Sequence, residues 1–333
     1  MYLASFTYDG SDRVGAQVDS DHLIDFRVAA EATGRPFKYT TMLALILGGD
    51  AATQAAADLL RAARDDDKIG RIPMSDIIWH PPVRRPGKIL GVALNNSASD
   101  ARKISAPDHP MFFMKPQTCL LGHKQPIVVR RHYNGLHPEP ELAVIIGKLA
   151  KDIDPRKGME YVYGYSILDD VTGNDMRAQD RVHYYALYAK QDNPDEVGKR
   201  EQHLSYAARY KGADCFGPMG PWLVTKDEVP DPHDLDVICS VDGVVYTQDN
   251  TAHYTYRIEE VIAFISRHLT LEPGDVVSMG TAFREGDKTR KPLHTANYAR
   301  LNGSREISIT KLGTLSNPIK HDTSDPGDWR LLR

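Results

Sequence analysis

The chain has 333 residues and a formal net charge of −4, with 41 Lys and Arg against 45 Asp and Glu. This length suffices for one large or two modest domains, and the absence of a basic excess or a Lys/Arg run excludes a general nucleic-acid partner. No apolar window in the sequence reaches membrane-spanning length, and Cys119, Cys215 and Cys239 are too far apart to indicate a disulfide framework or a zinc site. We therefore predict a cytoplasmic protein with no membrane partner; the N-terminus also lacks the pattern of a signal peptide.

The N-terminal part of the chain combines strand and helix patterns. Residues 2–26 alternate as the strands of a small sheet do, and helical spacing follows at about 40–48 and 51–66. An acidic run and several prolines then indicate a linker. We predict a small N-terminal α/β domain over 1–82 and a catalytic domain over 83–333.

Strand-like runs dominate the rest of the sequence, and only one clear helix, 257–268, lies among the later elements. This pattern fits a barrel or rolled sheet better than alternating βαβ units. The predicted fold class is therefore α+β and β-dominated. The predicted strands cover 88–94, 112–114, 126–130, 141–147, 162–169, 219–225, 234–241, 274–279 and 305–310.

Two carboxylates lead into the most apolar of these strands. Glu139 and Glu141 directly precede the unbroken run 142–146. In a strand, residues two apart share a face, so both carboxylates point into the same space at the edge of a core. Like charges held this close require a counter-charge, which a divalent cation would supply. The alternative for this stretch is a solvent-facing alternation of Glu and Pro.

A second acidic feature follows the strand at 162–169. Asp169 and Asp170 end this strand, and Thr172 with Asp175 form a capping-box pattern that predicts the start of a helix. Asp170 is thus expected to project into a pocket from a strand-to-helix corner, with Asp169 turned away. The alternative is that both aspartates only favour the helix N-terminus through its dipole.

The two acidic segments, 137–147 and 164–172, resemble the metal-binding signature of the fumarylacetoacetate hydrolase family, including the spacing from Glu141 to Asp170. The resemblance covers roughly 85–320, and the small N-terminal domain is similar to that of the family as well. Further matching segments follow in order: 88–89, 113–116, 211–214, 217–222, 241–251, 269–275, 280–281 and 313–318.

The resemblance implies a mixed β-roll catalytic domain, a homodimer, and Mg²⁺ or Mn²⁺ held by Glu139, Glu141 and Asp170, with Ca²⁺ as a further candidate. Ligand chemistry agrees, because three carboxylates suit a hard cation and leave positions for a chelating substrate and a water. A 2-oxo acid would fill two of those positions with its carboxylate and keto oxygens.

The same resemblance assigns candidate roles to four further side chains. Lys211 matches the family lysine that holds substrate oxygens and developing negative charge. Thr281 matches the residue that contacts the substrate carboxylate, and Gln248 and Lys115 are candidate substrate contacts. An exposed lysine and a turn threonine are the structural alternatives for the first two.

One departure from the family concerns the base. Family hydrolases carry a His and, one helical turn on, a Glu that together activate the attacking water. Ser99 and Arg102 occupy these positions here. A serine without a basic partner is a poor general base at neutral pH, so the usual hydrolysis is in question and Ser99 becomes a candidate substrate contact.

The segment 177–210 is long, polar and aromatic. We predict an inserted segment in which the preceding helix is extended and a charged loop follows. Acting as a lid, it would bring His183 to the site as a replacement base and Arg177 to a substrate carboxylate. The alternative is an oligomer contact. His109, just after the altered segment, is a second candidate base.

Three functions are compatible with these features. The first is a metal-dependent hydrolase that cleaves a carbon-carbon bond in a diketo acid such as an acylpyruvate. The second is a lyase or isomerase acting on a 2-oxo acid by decarboxylation, hydration or dehydration, or tautomerisation. The third is a binding protein without catalysis, which the intact ligand set and Lys211 disfavour. We favour the hydrolase because this activity is the commonest in the family.

Overall fold

The structure, a computed structural model, describes residues 1–96, 103–283, 291, 293–327 and 329–331. Its strands lie in one large mixed sheet, one five-stranded sheet and small two-stranded ribbons. This confirms the predicted β-dominated α+β class. The strand order in both larger sheets is open over the described residues, so the closed-barrel alternative is not seen there.

The N-terminal part contains five short strands and three helices. Asp25 caps helix α1 by accepting a hydrogen bond from the Arg27 backbone N–H, and Gly34 ends the helix at φ +65°. Helix α3 buries a row of small and aliphatic side chains that pack toward α1. The elements are β1 Tyr2–Tyr8, β2 Ser11–Gln17, β3 His22–Asp25, α1 Phe26–Thr33, α2 Met42–Leu47, α3 Gly49–Asp65, β4 Arg71–Pro73 and β5 Ile78–Trp79.

Among the described residues, nine of the remaining strands begin and end within two residues of the nine predicted runs, and the other seven were not predicted. They are β6 Ile89–Ala93, β7 Met111–Lys115, β8 Leu120–Leu121, β9 Ile127–Arg130, β10 Leu136–His137, β11 Pro140–Ile146, β12 Val162–Asp169, β13 Thr172–Gly173, β14 Arg181–Ala189, β15 Val197–Ser205, β16 Gly217–Thr225, β17 Asp236–Val241, β18 Val244–Asn250, β19 Val276–Thr281, β20 Ser304–Ile309 and β21 Gly313–Asp322.

Three further α-helices and several 3₁₀ turns connect these strands. In the described part of the chain, no helix has the length and apolar character needed to cross a membrane. The helices are α4 Asn174–Gln179, α5 Ala207–Gly212 and α6 Ile258–His268. The 3₁₀ turns are Gln117–Cys119, Pro155–Tyr161, Lys226–Glu228, Thr251–His253 and Leu293–Thr295.

The large sheet runs without a break from the N-terminal strands into the region after residue 82. Its order is β4-β3-β2-β1-β16-β12-β11-β19-β6-β7, with β5 paired to β1 and β8 paired to β16. Strand β1 joins β16 in antiparallel register, with Tyr2 opposite Val224. Residues from both sides also share one hydrophobic cluster, for example Leu3 and Ala143. The first 82 residues therefore extend the sheet and the core of the region that follows them.

Strand β11 lies inside this sheet, between β12 and β19. All seven of its residues are buried, which confirms the prediction of a strand covered on both faces. The second sheet has the order β18-β17-β20-β21-β9. Both neighbours of β11 carry residues that point at its acidic end, so this strand positions the candidate site.

The segment 177–210 differs from its sequence-based description. Helix α4 ends at Gln179, and an antiparallel hairpin of β14 and β15 follows in place of a longer helix and a loop. We call this hairpin the arm. Its tyrosines and valines favour a strand, and the turn around Asn193 has a typical turn composition. The spacing of the aromatic residues fits the two-residue period of a strand as well as the 3.6-residue period of a helix. The prediction of an extended helix was therefore wrong.

The expected capping box does not form. Thr172 pairs with His137 in the short ladder of β10 and β13, and its hydroxyl donates to the Asp170 backbone carbonyl at 3.1 Å. Helix α4 starts after Gly173, which makes no side-chain cap. The strand pairing takes Thr172 out of the N-cap position, because a ladder hydrogen bond and a cap compete for the same residue.

Candidate metal centre

Three carboxylates meet where β11 begins and β12 ends. The strands are antiparallel, with Pro140 opposite Asp169, so the residues flanking that pair become neighbours. The Asp170 N–H donates to the Glu139 carbonyl at 2.9 Å, and the Glu139 N–H donates to Asp169 Oδ1 at 2.9 Å. One oxygen from each of Glu139, Glu141 and Asp170 lies within 4.8 Å of the others. These three form the carboxylate cluster.

Strand β19 supplies hydrogen-bond donors to this cluster. Ser278 Oγ and the Gly280 N–H donate to Glu141 Oε2 at 2.5 and 3.0 Å. Thr281 Oγ1 donates to Glu139 Oε2 at 3.1 Å. Gly280 has φ +97°, a conformation that favours glycine and allows the backbone N–H to face the carboxylate. Glu141 is therefore buried but held by directed hydrogen bonds.

Two lysines face the carboxylates. Lys211, from α5, donates to Glu139 Oε2 at 2.7 Å and also to Asp170. Lys115, at the end of β7, donates to Asp170 and to the backbone carbonyls of Lys211 and Phe216. The Lys115 side chain is fully buried and the Lys211 side chain is 10% exposed. Both lysines thus compensate carboxylate charge inside the protein.

The three carboxylates outnumber the two ammonium groups that contact them, and the directions of their pKa shifts agree with this. Burial, reinforced by the charge of Asp170, raises the pKa of Glu141 well above its usual range. Burial also acts to raise the pKa of Glu139, but the Lys211 charge and the hydrogen bond from His137 outweigh it and hold this pKa well below its usual range. Two ammonium groups therefore compensate two of the three carboxylates. Glu141 is the carboxylate whose ionised form lacks this compensation.

The residues present fit a hard divalent cation. Their donors are carboxylate oxygens, which Mg²⁺, Mn²⁺ and Ca²⁺ prefer over the sulfur and imidazole ligands of softer ions. Bringing a cation to the cluster would also remove the electrostatic cost of ionising Glu141, since the excess negative charge gains a partner. The charge shortage at Glu141 is the structural argument for this fit.

A cavity of about 420 Å³ opens above the cluster. This volume lies in the usual range for small-molecule sites, and its walls mix polar and aromatic groups. Its lining includes Val92, Ala93, Leu94, Asn96, Phe113, His137, Glu139, Asp170, Thr172, Asn174, Arg177, Ala207, Tyr210, Lys211, Thr281, Phe283, Leu293 and His294.

Two histidines in this lining were not among the sequence candidates. Asn174 Nδ2 donates to His137 Nδ1 at 3.0 Å, so His137 Nε2 carries the proton that it donates to Glu139 Oε1 at 3.2 Å. The His294 ring centre lies 5.7 Å from that of His137 and 5.2 Å from that of Phe283. His137 could have been found from the sequence, because it lies two residues before Glu139 and would share its face in an extended segment. No local sequence signal points to His294.

Several sequence candidates lie at the cavity. Lys211, Thr281 and Arg177 all line it together with two members of the carboxylate cluster. Lys115 does not line the cavity, because its ammonium group is enclosed behind Asp170. Its position suits charge compensation of that carboxylate.

Three other candidates lie apart from the cavity lining. His183 is on the exposed arm and donates to Glu201. His109 is exposed and stacks on Phe264, with 5.0 Å between ring centres. Gln248 is exposed on β18. The arm carries His183 outward because alternate residues of an uncovered ribbon face solvent on both sides.

The remaining substrate candidate, Ser99, and its neighbour Arg102 lie outside the described residues. The chain just before them is anchored to the site. Asn96 Nδ2 donates to the Thr281 carbonyl at 3.0 Å, and Asn95 Oδ1 accepts from the Tyr256 N–H at 2.7 Å. These bonds fix the point from which the altered segment departs.

Comparison with known proteins supports a family assignment. The model of the fumarylacetoacetate (FAA) hydrolase C-terminal family matches residues 88–320. A protein of Pyrococcus abyssi without an assigned function is 37% identical over 225 residues, covering 66% of this chain and 89% of that relative. The mitochondrial oxaloacetate tautomerase Fahd2a of Rattus norvegicus is 28% identical over 280 residues, covering 84% of this chain and 79% of that enzyme.

A solved structure shows the same likeness. The maleylpyruvate hydrolase of Sphingobium sp. SYK-6, crystallised with manganese(II) and pyruvate, is 25% identical and superposes with a TM-score of 0.69. The alignment covers 96% of this chain and 99% of that enzyme. Hydrolase and tautomerase activities thus both occur among proteins similar to this one. The chain belongs to the fumarylacetoacetate hydrolase family.

Proposed function

We propose that this chain is a divalent-cation-dependent hydrolase that cleaves a carbon-carbon bond in a diketo acid such as an acylpyruvate. The observation that carries the proposal is the carboxylate cluster, which lies beside Lys211 at a cavity large enough for such a substrate. Supporting it, the similar hydrolase from Sphingobium was crystallised with manganese(II) and pyruvate, a 2-oxo acid.

Each part of the cavity has a role in this proposal. Glu139, Glu141 and Asp170 would hold Mg²⁺ or Mn²⁺, with Ca²⁺ as a weaker candidate, and the bound cation supplies Lewis-acid stabilisation of negative charge on substrate oxygens. Lys211 adds a fixed positive charge next to the same oxygens. Arg177 is suited to pairing with a substrate carboxylate, since its guanidinium offers a planar pair of donors.

Hydrolysis also requires a proton acceptor for water. Hydroxide adds to the acyl carbonyl carbon, the bond to the neighbouring methylene breaks, and its electron pair delocalises into the 2-oxo acid as an enolate that is then protonated on carbon. His294 is the proposed base, because its imidazole lines the cavity and its ring centre lies 5.7 Å from that of His137, which contacts Glu139. His294 would thereby replace the family pair altered to Ser99 and Arg102.

A second candidate function is an isomerase or lyase acting on a 2-oxo acid, with tautomerisation as the leading reaction. Two observations favour it. Ser99 and Arg102 replace the water-activating pair, and a tautomerase needs no activated water. The rat relative of this chain is itself named an oxaloacetate tautomerase. The same cluster and Lys211 would stabilise the enolate in either reaction.

Product analysis separates the two functions. The protein with Mg²⁺ or Mn²⁺ is given an acylpyruvate and, separately, oxaloacetate, and products are followed by NMR. Two acid fragments from the acylpyruvate support the hydrolase. An intact acylpyruvate together with faster enolisation or decarboxylation of oxaloacetate than with cation alone supports the second candidate. Glu141→Gln should abolish either activity, whereas Glu306→Gln, on an exposed part of β20, should not.

A further inference from the structure

The arm brings three metal-binding side chains to one of its faces. His183 on β14 lies directly opposite His203 on β15. Glu201 is two residues before His203, and residues two apart in a strand share a face. The antiparallel register therefore places all three groups on the same side of the ribbon. Neither the carboxylate cluster nor the cavity lining includes any of them.

These side chains already converge. A ligand atom from each lies within 4.8 Å of the other two. The His183 and His203 rings stack with their centres 3.9 Å apart and their planes at 13°, and His183 Nε2 donates to Glu201 Oε1. All three side chains are exposed, so a cation can reach them directly from solvent, and water molecules can complete its coordination.

We propose that His183, Glu201 and His203 form a second cation site, selective for a borderline divalent ion such as Zn²⁺ and separate from the carboxylate cluster. Two imidazoles and one carboxylate are a ligand set that zinc accepts, with a fourth position left open. Mg²⁺ and Ca²⁺ favour oxygen ligands and gain little from imidazole. The two sites thus differ in donor chemistry and take different metals.

The surroundings of the site set its strength. Arg181 and Lys199 are on the same face of the arm and bring positive charge, while Glu201 is its acidic member. A Zn²⁺ ion bound to two neutral imidazoles and one carboxylate keeps a net positive charge. We therefore expect micromolar affinity, below that of a buried structural zinc site.

The ion would join the two strands of the arm. A ribbon of only two strands is marginally stable in water, and both faces of this one expose apolar side chains such as Tyr188 and Leu187. Ligands contributed by both strands stabilise the paired state increasingly as the free cation concentration rises above the dissociation constant of the site. His203 also lines a second, more open cavity with Arg177 and Asn174, two residues that line the cavity above the carboxylate cluster, so the ion would hold the arm beside that cavity.

Calorimetric titration of the full-length, tag-free protein with Zn²⁺ in saturating Mg²⁺ tests the proposal. Wild type should bind one more Zn²⁺ per chain than His203→Ala does. If His203→Ala still binds Zn²⁺ at this site, its affinity should be at least about tenfold lower than that of wild type. His183→Ala should behave in the same way. Gln202→Ala is the matched control, because it lies between two proposed ligands in sequence but faces the other side of the ribbon.

Hydrogen exchange gives a readout on the arm itself. Zn²⁺ should slow amide exchange across 181–205 in wild type and Gln202→Ala, and leave it unchanged in both histidine variants. Identical zinc isotherms for wild type and the two histidine variants would overturn the proposal. So would a zinc signal that excess Mg²⁺ fully displaces. Far-UV circular dichroism and retained Mg²⁺ binding show that each variant is folded.

Discussion

At the scale of single residues, the candidate site contains three carboxylates and only two lysine ammonium groups to compensate them. Lys115 and Lys211 are buried next to Asp170, and Lys211 also reaches Glu139. Burying charges is costly unless each has a partner, and here the partners are supplied from distant parts of the chain. Within the described part of the chain, Glu141 accepts hydrogen bonds from β19, whereas the ammonium groups of the two lysines donate to Asp170 and Glu139.

Removing Lys211 should destabilise the cation-free protein. Lys211→Met keeps most of the side-chain volume and leaves Glu139 and Asp170 with less compensation, so we expect the free energy of unfolding in chelator to fall by about 3 kcal/mol. Mg²⁺ should restore part of the loss, because it supplies charge to the same carboxylates. Urea denaturation with EDTA and with Mg²⁺ measures both effects.

The control is Lys320→Met, an exposed lysine on β21. Its unfolding free energy should stay within the small range typical of surface changes. If Lys211→Met matched that control in chelator, the charge balance described for the cluster would be incorrect.

Because the pKa of Glu141 is raised, we expect the stability of the cation-free protein to decrease as the pH rises. Its pKa is raised in the folded protein, so its contribution is present below the unfolded value near 4.5 and is lost as pH rises through the folded pKa. In chelator, the unfolding free energy of wild type relative to Glu141→Gln should therefore decrease with rising pH above 4.5. Denaturation at a series of pH values checks this.

The same experiment in saturating Mg²⁺ provides the contrast. A bound cation requires the ionised carboxylate, so the pH-dependent loss should disappear and wild type should gain stability over Glu141→Gln. A flat difference in chelator would show that Glu141 ionises normally in the folded protein.

At the scale of elements, β19 determines the shape of the cluster as much as β11 and β12 do. The last two residues of β19 contact the cluster: the Gly280 N–H donates to Glu141 and the Thr281 hydroxyl donates to Glu139. A slip of one residue in any of these pairings would move the carboxylates to the opposite face. Strand register and the backbone conformation at Gly280 are therefore part of the site.

Gly280→Ala should weaken both the fold and the cation site. A Cβ there would lie 3.0 Å from Asn95 Cβ and 3.0 Å from the Val92 carbonyl, on top of the cost of φ +97°. We expect a loss of about 2 kcal/mol in unfolding free energy. Calorimetry should also show weaker Mg²⁺ binding, because the N–H that holds Glu141 is displaced.

Gly10→Ala separates these effects. Gly10 has φ +68° but its added Cβ would meet nothing within 4 Å, so only the backbone cost applies. Mg²⁺ affinity should match wild type in this variant. Equal Mg²⁺ affinity in Gly280→Ala and wild type would exclude a role for the β19 turn in the cluster.

At the scale of the whole molecule, the N-terminal segment and the catalytic region share one sheet. The Met1 ammonium pairs with Glu228 at 2.9 Å, and β1 is bonded to β16. Trp79 from β5 and Trp222 from β16 also pack edge to face, with 5.0 Å between ring centres. This contact joins the two predicted domains through their cores.

We therefore expect a single unfolding transition. Trp79 and Trp222 report on the junction, and circular dichroism reports on all strands, so the two signals should coincide in urea. Trp329→Phe, which removes an exposed tryptophan, sharpens the fluorescence signal without touching the junction. A fluorescence transition that precedes the loss of circular dichroism would show that the two regions unfold separately.

The sequence by itself determined the order and type of most strands, and its resemblance to the family indicated the three cluster carboxylates. Apolar runs and the two-residue spacing of Glu139 and Glu141 are local patterns, and local backbone geometry converts them directly into strands and faces. Tertiary structure alone decided that Lys115 lies behind Asp170, that His294 reaches the cavity, and that 181–205 is a hairpin. The first two depend on contacts between residues far apart in the chain, and the third on pairing energy that no single strand contains.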